Sequence, residues 1–474
     1  MPPHVDLPFI AALDAAAPAN ARDDPNYYSR YPRSLITTSH LDSFAAGTAA
    51  AVYHALLPLL QRANHELLLV TCFWAPSPAL DALNHLLRHL SARAIRRGTE
   101  KIRVRLCFSS RSLFQKLFHK QSLTGQSYPA DVWSKTLGLP APTELGGLDL
   151  KIKSVFLLPF SVMHPKFIIV DRQKVVLPSC NISWEEWFEG AATMTGPVVQ
   201  HFLQFYFHFW ERKSDIPTAS WAAISTVENQ PADGALPKTS LLAMSELNAT
   251  SIPTIFLPSP HRRNPRLNPF SKTDRLLAPP TPLNTFLLTL FAQAEHSIRI
   301  QTPNVTAPPV LSALLSALRR GVHVHILTSE RLMRVEQLVT AGTTTARCLS
   351  KLIKRYKKLY AKDLRQPLTD EEAAIAPSSR PGNLRISYFE PIHGPKPRGK
   401  ENGEPQQSHF KMTMVDDEVV VLGSGNLDRA SWFTSQELGL AFFDKNVVEK
   451  VIMTVDAAMQ HRSRVVFDSE RESV

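Results

Sequence analysis

The sequence predicts an α/β fold made of two similar halves, helices flanking a mixed sheet in each, the halves related by a pseudo-two-fold. Three observations carry this expectation. Stretches of helical and strand period alternate along the chain, the same order of elements occurs twice, and an H-x-K-x-x-x-x-D cluster is spelled once in each half, starting at His164 and at His409. In the first half, 51–60 reads as an apolar helix and 66–74 as a buried strand. An amphipathic helix follows over 79–97, ending in basic residues before Gly98, and 101–108 and 150–157 read as strands. The second half repeats this order with a helix over 283–294, a strand over 297–302, a helix over 309–320 before Gly321, and strands over 322–327 and 384–389. The expected layout is an N-terminal extension (1–45), a first half (46–212), a connector rich in Pro, Ser, Asn and charge (213–282) and a second half (283–470).

The repeated clusters extend well beyond three residues. Ser179 and Asn181 follow the first, Ser424 and Asn426 follow the second at the same distance, and Trp187-Phe188 matches Trp432-Phe433. Alternate side chains share one face of a strand, so His164 projects with Lys166 and His409 with Lys411. The apolar runs 167–170 and 412–415 continue each strand, and Asp171 and Asp416 open turns into 175–177 and 419–422, so each unit reads as a β-hairpin. The segments 178–181 and 423–426 leave the second strand toward a helix, where backbone N–H groups and small polar side chains can hold a phosphate oxygen. Gly423 and Gly425 allow close backbone approach.

These residues resemble the phospholipase D superfamily, with two HKD motifs in one chain. The second copy, His409 to Asn426, fits the signature H-x-K-x(4)-D-x(6)-G-S-x-N throughout, whereas the first carries Pro178 where Gly is usual, giving a stiffer loop with one fewer N–H. The family also has an acidic residue that orients the catalytic histidine. Glu437 lies eleven residues after Asn426, but Ala192 holds that offset after Asn181, and Glu189 is the nearest substitute if three residues are deleted.

A phosphodiester is an anion that repels nucleophiles and expels an alkoxide, so its cleavage calls for a neutral nucleophile, an acid and fixed positive charge. Two His/Lys clusters supply all three. By the resemblance, His164 is the nucleophile that forms a phosphohistidine and His409 the acid. Lys166, Lys411, Asn181 and Asn426 would hold the non-bridging oxygens, with Ser179 and Ser424 assisting. Asp171 and Asp416 complete the catalytic motifs, and their position in turns suits bracing more than contact with phosphate. This mechanism uses no metal and no cofactor, and no clean metal-ligand spacing is found.

The 474 residues, 44% of them hydrophobic, can bury two cores of ordinary domain size. Cys72, Cys107, Cys180 and Cys348 are scattered without C-x-x-C spacing and read as reduced core residues, in keeping with an intracellular setting. No run approaches the ~18 apolar residues of a spanning helix, and the first forty or so residues lack the basic and apolar regions of a secretory signal. With 53 Lys and Arg against 42 Asp and Glu, the formal charge of +11 favours anionic partners. Its densest source, 347–365, sets Leu349, Leu352, Ile353, Tyr356, Leu359 and Tyr360 at helical spacing among Lys351, Lys354, Arg355, Lys357, Lys358 and Lys362. That pattern suits an interfacial helix on an anionic membrane, a groove wall facing nucleic acid, or a packed helix with a solvated basic face. The loop 390–408, with His393, Lys396, Arg398 and Lys400, precedes His409 and reads as a lip of the site.

The leading expectation is therefore an enzyme similar to phospholipases D or two-motif cardiolipin synthases, hydrolysing or transferring the phosphatidyl groups of phospholipids. A metal-independent nuclease or nucleic-acid end-processing phosphodiesterase is the alternative, with Trp184, Trp187 and Trp432 available for stacking on bases. A non-catalytic anion-binding scaffold is a third.

Overall fold

The computed structural model describes residues 3–471 except 99, 113–114, 117, 159–160, 220, 222–242, 261–276 and 364–379. Its first half contains α2 (Ala49–Leu60), β2 (Glu66–Val70), α3 (Pro78–Arg97), β3 (Ile102–Phe108), β4 (Leu148–Ser154), β5 (Phe167–Val170), β6 (Lys174–Pro178), β7 (Trp187–Thr195) and α4 (Val198–Phe209). Its second half contains α5 (Pro282–Gln293), β9 (Ser297–Gln301), α6 (Pro308–Arg319), β10 (His323–Thr328), α7 (Arg334–Ala341), α8 (Thr345–Asp363) and β11 (Leu384–Phe389). It continues with β12 (Gln407–Ser408), β13 (Met412–Val415), β14 (Val419–Gly423), α9 (Arg429–Phe433), β15 (Glu437–Phe443), α10 (Lys445–Met459) and β16 (Ser463–Asp468).

Local chemistry explains these boundaries. The Ser77 hydroxyl accepts from the Leu80 amide and Pro78 occupies the first turn of α3, while Gly98 at φ 60° closes the helix in the left-handed region. Leu80, Leu83, Leu87, Leu90 and Ala94 recur at helical spacing and are buried. Between β5 and β6 the chain turns through Asp171 (φ 47°) and Arg172 (φ 57°), and between β13 and β14 through Asp416 (φ 54°) and Asp417 (φ 53°). Such positive-φ pairs match the right-handed twist of a hairpin.

The two halves share one strand pattern. In the first, β2, β3 and β4 are parallel neighbours, and β5, β6 and β7 extend the sheet antiparallel from β2. In the second, β9, β10 and β11 are parallel, and β13, β14 and β15 extend antiparallel from β9. The fold is thus the expected α/β class, with one difference: the sheets of the two halves are joined. β1 (Ile36–Gly47) pairs with β7 and with β8 (Ala243–Ser259), and β8 pairs with β15.

Both joining strands come from segments expected to stand outside the halves. Ser39 and Thr254 share a buried hydrogen bond of 2.7 Å, and Ile255, Phe256 and Leu257 are fully buried. The apolar run at 255–257 is shorter than the polar, Pro-rich sequence around it, which masked its strand character. Residues 222–242 and 261–276 of the expected connector lie outside the described residues. The N-terminal segment also belongs to the body, because α1 (Pro3–Ala15) sets Phe9 edge-on to Phe286 of α5, ring centroids 5.3 Å apart. One apolar core accordingly runs through both halves, from Phe9 and Phe44 to Phe256 and Phe443, and a second lies between α2, α3 and β2 to β4. All four cysteines are free and buried.

Candidate active site

The two motif hairpins meet end to end. His409 donates its backbone N–H to the Phe188 carbonyl at 2.9 Å, and His164 donates to the Gln436 carbonyl at 3.0 Å. Each histidine is therefore docked on the opposite half, one residue before that half's glutamate. The parallel pairing of Trp187 and Phe188 with Gln407 and Ser408 fixes one side, and the bridge between Met163 and Gln436 fixes the other.

This docking brings each imidazole onto the carboxylate of the other half. His164 Nδ1 lies 2.8 Å from Glu437 Oε2, and His409 Nδ1 lies 2.7 Å from Glu189 Oε1. The two imidazole centroids are 6.4 Å apart and nearly perpendicular, at 85°. Glu189, three residues short of the offset at which Glu437 follows its motif, thus occupies the same relation to a histidine as Glu437 does. Trp187 packs against His409 with ring centroids 4.7 Å apart. His409 is the more enclosed of the pair, with its side chain 3% exposed against 12% for His164.

The lysines lie beside their own histidines. Lys166 Nζ donates to the His164 carbonyl at 2.8 Å, and Lys411 Nζ lies 2.5 Å from the His409 carbonyl and 2.9 Å from His409 Nε2. Both lysines are buried. The serines face the glutamates: Ser179 Oγ donates to Glu189, and Ser424 Oγ donates to Glu437 Oε2 at 2.5 Å. Each also accepts a strand amide, from Gly190 at 3.0 Å and Leu438 at 3.1 Å. A hydroxyl has a single proton, so the expected serine contact with phosphate gives way to a carboxylate contact in this state.

Asn181 Oδ1 accepts the Phe73 amide at 3.2 Å, and Asn426 Nδ2 donates to Asp428 Oδ2 at 3.0 Å. Asp428 also caps α9 by accepting the Ser431 amide, and Ser431 Oγ donates to Glu437 Oε1 at 2.7 Å. Asp428 and Ser431 have no counterpart in the first motif, so duplication could not point to them; the D-x-x-S spacing of a helix N-cap was their only signal.

Asp171 and Asp416 stand in the hairpin turns. They sit at the far end of β5 and β13 from the histidines, and each carboxylate gathers three backbone amides, Asn64, His65 and Glu66 in one case and Glu295, His296 and Ser297 in the other. They tie the hairpin turns to the starts of β2 and β9. The glycines also act within the fold, since a Cβ on Gly423 would lie 2.3 Å from the Leu438 carbonyl, so its close approach is to β15.

Burial sets the protonation of this cluster. It pushes His409 down to about 3 and lowers His164, partly opposed in each case by the paired glutamate. Lys411 is pushed down to about 7 by burial, against the pull of Glu189. Burial would raise Glu189, but His409, Lys411 and its hydrogen bonds outweigh it and hold the carboxyl at about 2. For the His409–Glu189 pair burial favours a neutral imidazole on a carboxylate.

The other expected features are partly rearranged. Leu349, Leu352 and Tyr356 of α8 are buried in the shared core, each 2% exposed, so its apolar stripe faces the protein, while Lys351, Lys354, Lys357 and Lys358 are exposed. Arg365 lies outside the described residues. In the 390–408 loop, Arg398 lies over the Trp184 ring at 3.6 Å, Lys396 pairs with Glu404 at 2.9 Å, and the Gln406 amide donates to the Glu186 carbonyl. The loop is thereby strapped to the segment following the first motif. Trp432 is buried. With Trp184 under Arg398 and Trp187 against His409, all three tryptophans are engaged by protein. Among the described residues no cluster of three or more His, Cys, Asp and Glu is arranged to hold a metal ion, and no helix is long and apolar enough to cross a membrane.

The model of the cardiolipin synthase, PLD-like domain family matches residues 287–458. A search of the curated proteins gives no match. Among solved structures, the phosphatidylserine synthase of Haemophilus influenzae aligns over 93% of this chain and 92% of its own, with a TM-score of 0.50 and 15% identity, a likeness of fold. Nuc, a phospholipase D family member from Salmonella typhimurium, aligns over 39% of this chain and 90% of its own, with a TM-score of 0.24 and 19% identity. NucT from Helicobacter pylori aligns over 45% and 98%, with a TM-score of 0.28 and 17% identity. Residues 287–458 thus match a phospholipase D-like domain family, and the chain as a whole shares the fold of the Haemophilus influenzae synthase.

Proposed function

We propose that the protein is a phospholipase D-type phosphodiesterase that hydrolyses or transfers the phosphatidyl groups of phospholipids through a phosphohistidine. The observation that carries this reading is the reciprocal pair of imidazoles, each held through Nδ1 by a glutamate of the other half and flanked by a buried lysine. Holding Nδ1–H on a carboxylate leaves Nε2 as the reactive nitrogen. His164 Nε2 attacks phosphorus, and the N–P bond forms as the bond to the first alcohol breaks. His409, protonated in the complex, gives its Nε2 proton to the departing alkoxide. The neutral His409 then removes a proton from water or an acceptor alcohol, whose oxygen displaces His164 from phosphorus. The greater exposure of His164 supports its role as nucleophile.

Charge balance supports the same sequence of steps. Burial keeps His409 neutral and Lys411 only partly charged in the empty site, and a phosphodiester adds one negative charge that favours protonation of both. Lys166, Lys411 and the two asparagines would face the non-bridging oxygens, while Ser179, Ser424 and Ser431 position the glutamates. Asp171 and Asp416 brace the hairpins. In this reading, 46–212 and 283–470 each supply one motif, with the pseudo-two-fold lying between the histidines.

The lipid assignment is supported by the family model and its cardiolipin synthase description. Nothing about the tryptophans favours a nucleic-acid platform. The test is turnover by wild type and His409→Ala on phosphatidylglycerol vesicles and on single-stranded DNA, in EDTA. His409-dependent release of head group, or a transphosphatidylation product, supports the proposal. His409-dependent DNA cleavage with inert vesicles would replace it with the nuclease reading, and silence on both substrates would favour a scaffold or a narrower substrate.

A further inference from the structure

The short helix α7 is inside out. Its one buried residue is Gln337, whose side chain donates to the Leu332 carbonyl at 2.7 Å and accepts the Thr345 amide at 2.6 Å. Its apolar residues point the other way: Val335 is 71% exposed, Leu338 46% and Val339 56%. These three stand at i, i+3 and i+4 and form one continuous face. A helix that buries an amide and exposes aliphatic side chains has no reason in its own domain to be arranged so, and such a patch marks a surface for an apolar partner.

The next helix adds charge to that patch. Arg347, Lys351 and Arg355 of α8, spaced i, i+4 and i+8 and all exposed, line a cleft of about 810 Å³ together with Leu338 and Val339 of α7. Arg429 also lines the cleft, three residues beyond Asn426 of the second motif. The cleft therefore runs from the aliphatic face to the border of the catalytic cluster.

We infer that α7 and the Arg347 face of α8 form a docking surface for an anionic phospholipid bilayer, with Val335, Leu338 and Val339 entering the acyl region and the cations meeting the head groups. This rests on the lipid reading for its purpose but not for its geometry. Charge complementarity selects the occupant: a second copy of this chain, carrying +11 overall and the same basic cleft, would meet it with like charge. Nucleic acid would satisfy the cations but leave the aliphatic face in water, whereas a bilayer satisfies both. The amphipathic contact expected of α8 alone is thus shared between two helices, one aliphatic and one basic.

Flotation with phosphatidylcholine vesicles, with and without phosphatidylglycerol, tests this on the full chain. The wild type should bind the phosphatidylglycerol-containing vesicles and release in high salt. Arg347→Ala/Lys351→Ala/Arg355→Ala should weaken partitioning about 100-fold, and Val335→Ser/Leu338→Ser/Val339→Ser at least about tenfold. Both triple variants should keep the wild-type melting temperature and full turnover of a water-soluble phosphodiester. Binding unchanged in both variants overturns the proposal; loss in the basic variant alone removes α7 from it. Loss of single-stranded DNA binding in the basic variant, with vesicle binding intact, reassigns the surface to nucleic acid. Vesicle docking lost in both variants of a protein that turns over no lipid would keep the surface and sink the lipid-transfer reading.

Discussion

Glu189→Gln removes one negative charge from beside His409 while keeping the side chain's shape. In the wild type Glu189 Oε1 lies 2.7 Å from His409 Nδ1, the pair is buried, and Lys411 stands next to both. A carboxylate and an imidazolium with charge centres about 4 Å apart attract by about 4 kcal/mol at the effective dielectric that suits protein sites. Gln retains one acceptor, so part of this survives, and a loss of roughly 3 kcal/mol lowers kcat by about two orders of magnitude. That loss falls on the steps in which His409 carries a proton. An activated phosphodiester, whose leaving group needs no acid, should therefore recover most of the first-step rate, whereas Glu437→Gln should slow attack by His164 on either substrate. Stopped-flow release of the leaving group from natural and activated substrates measures the difference. Glu185→Gln, a nearby carboxyl outside the two His–Glu pairs, should stay within about threefold of wild type. Glu189→Gln within that same range would refute the cross-half pairing as a catalytic device.

Asp171→Ala strips the acceptor from three backbone amides and should cost about 2–4 kcal/mol of stability in urea titrations, with kcat within about threefold; a collapse of kcat at full stability would restore its catalytic label. Binding of inorganic sulfate, whose charge does not change near pH 7.5, should take up between about one and two protons, since burial holds His409 at about 3 and Lys411 at about 7 in the empty site and an added anion raises both; calorimetry in buffers of different ionisation enthalpy reads this directly, and zero uptake would contradict it. His325 is held at about 4, first by burial and then by Arg299 and Arg385, below its value of about 6.5 in the unfolded chain. Its contribution is therefore full above pH 6.5 and declines as pH falls toward 4, by about 2 kcal/mol at pH 5. His325→Gln should show that much less acid destabilisation in paired urea melts at pH 7.5 and 5, and an identical decline would refute the assignment.

Much of the site was legible because the chemistry is written twice. The H-x-K spacing pointed to His164 beside Lys166 and His409 beside Lys411, although these residues precede β5 and β13 and do not lie in the expected strands, and the turns at Asp171 and Asp416 followed from the break in each apolar run. What the sequence could not reveal was which glutamate serves which histidine. A local motif suggests a local partner, yet the docking of His409 on Phe188 and of His164 on Gln436 crosses the halves. Glu189 could be found only by allowing a deletion, and Asp428 and Ser431 had no duplicate. The basic helix illustrates a second limit: amphipathic spacing fixes that Leu349, Leu352 and Tyr356 share a face, but not whether protein or lipid covers it. α7 was not singled out in the sequence, and its structure shows why spacing would not reveal its orientation: a glutamine holds the inner face and the valines stand outside. The joining strand β8 escaped notice since its buried run at 255–257 is set in polar, Pro-rich sequence.

The proposed mechanism requires a covalent bond between His164 and phosphorus, formed with His409 as its proton partner. It is tested most directly by mixing a p-nitrophenyl phosphodiester with each histidine variant and following p-nitrophenol and intact protein mass together. His409→Ala should release a burst of about one p-nitrophenol per protein and gain a phosphoryl-linked adduct on His164, because the leaving group needs no acid while the second step lacks its base. His164→Ala should show neither burst nor adduct. An adduct on His409 in the His164→Ala protein would reverse the roles, and the absence of any adduct in both variants would contradict the account.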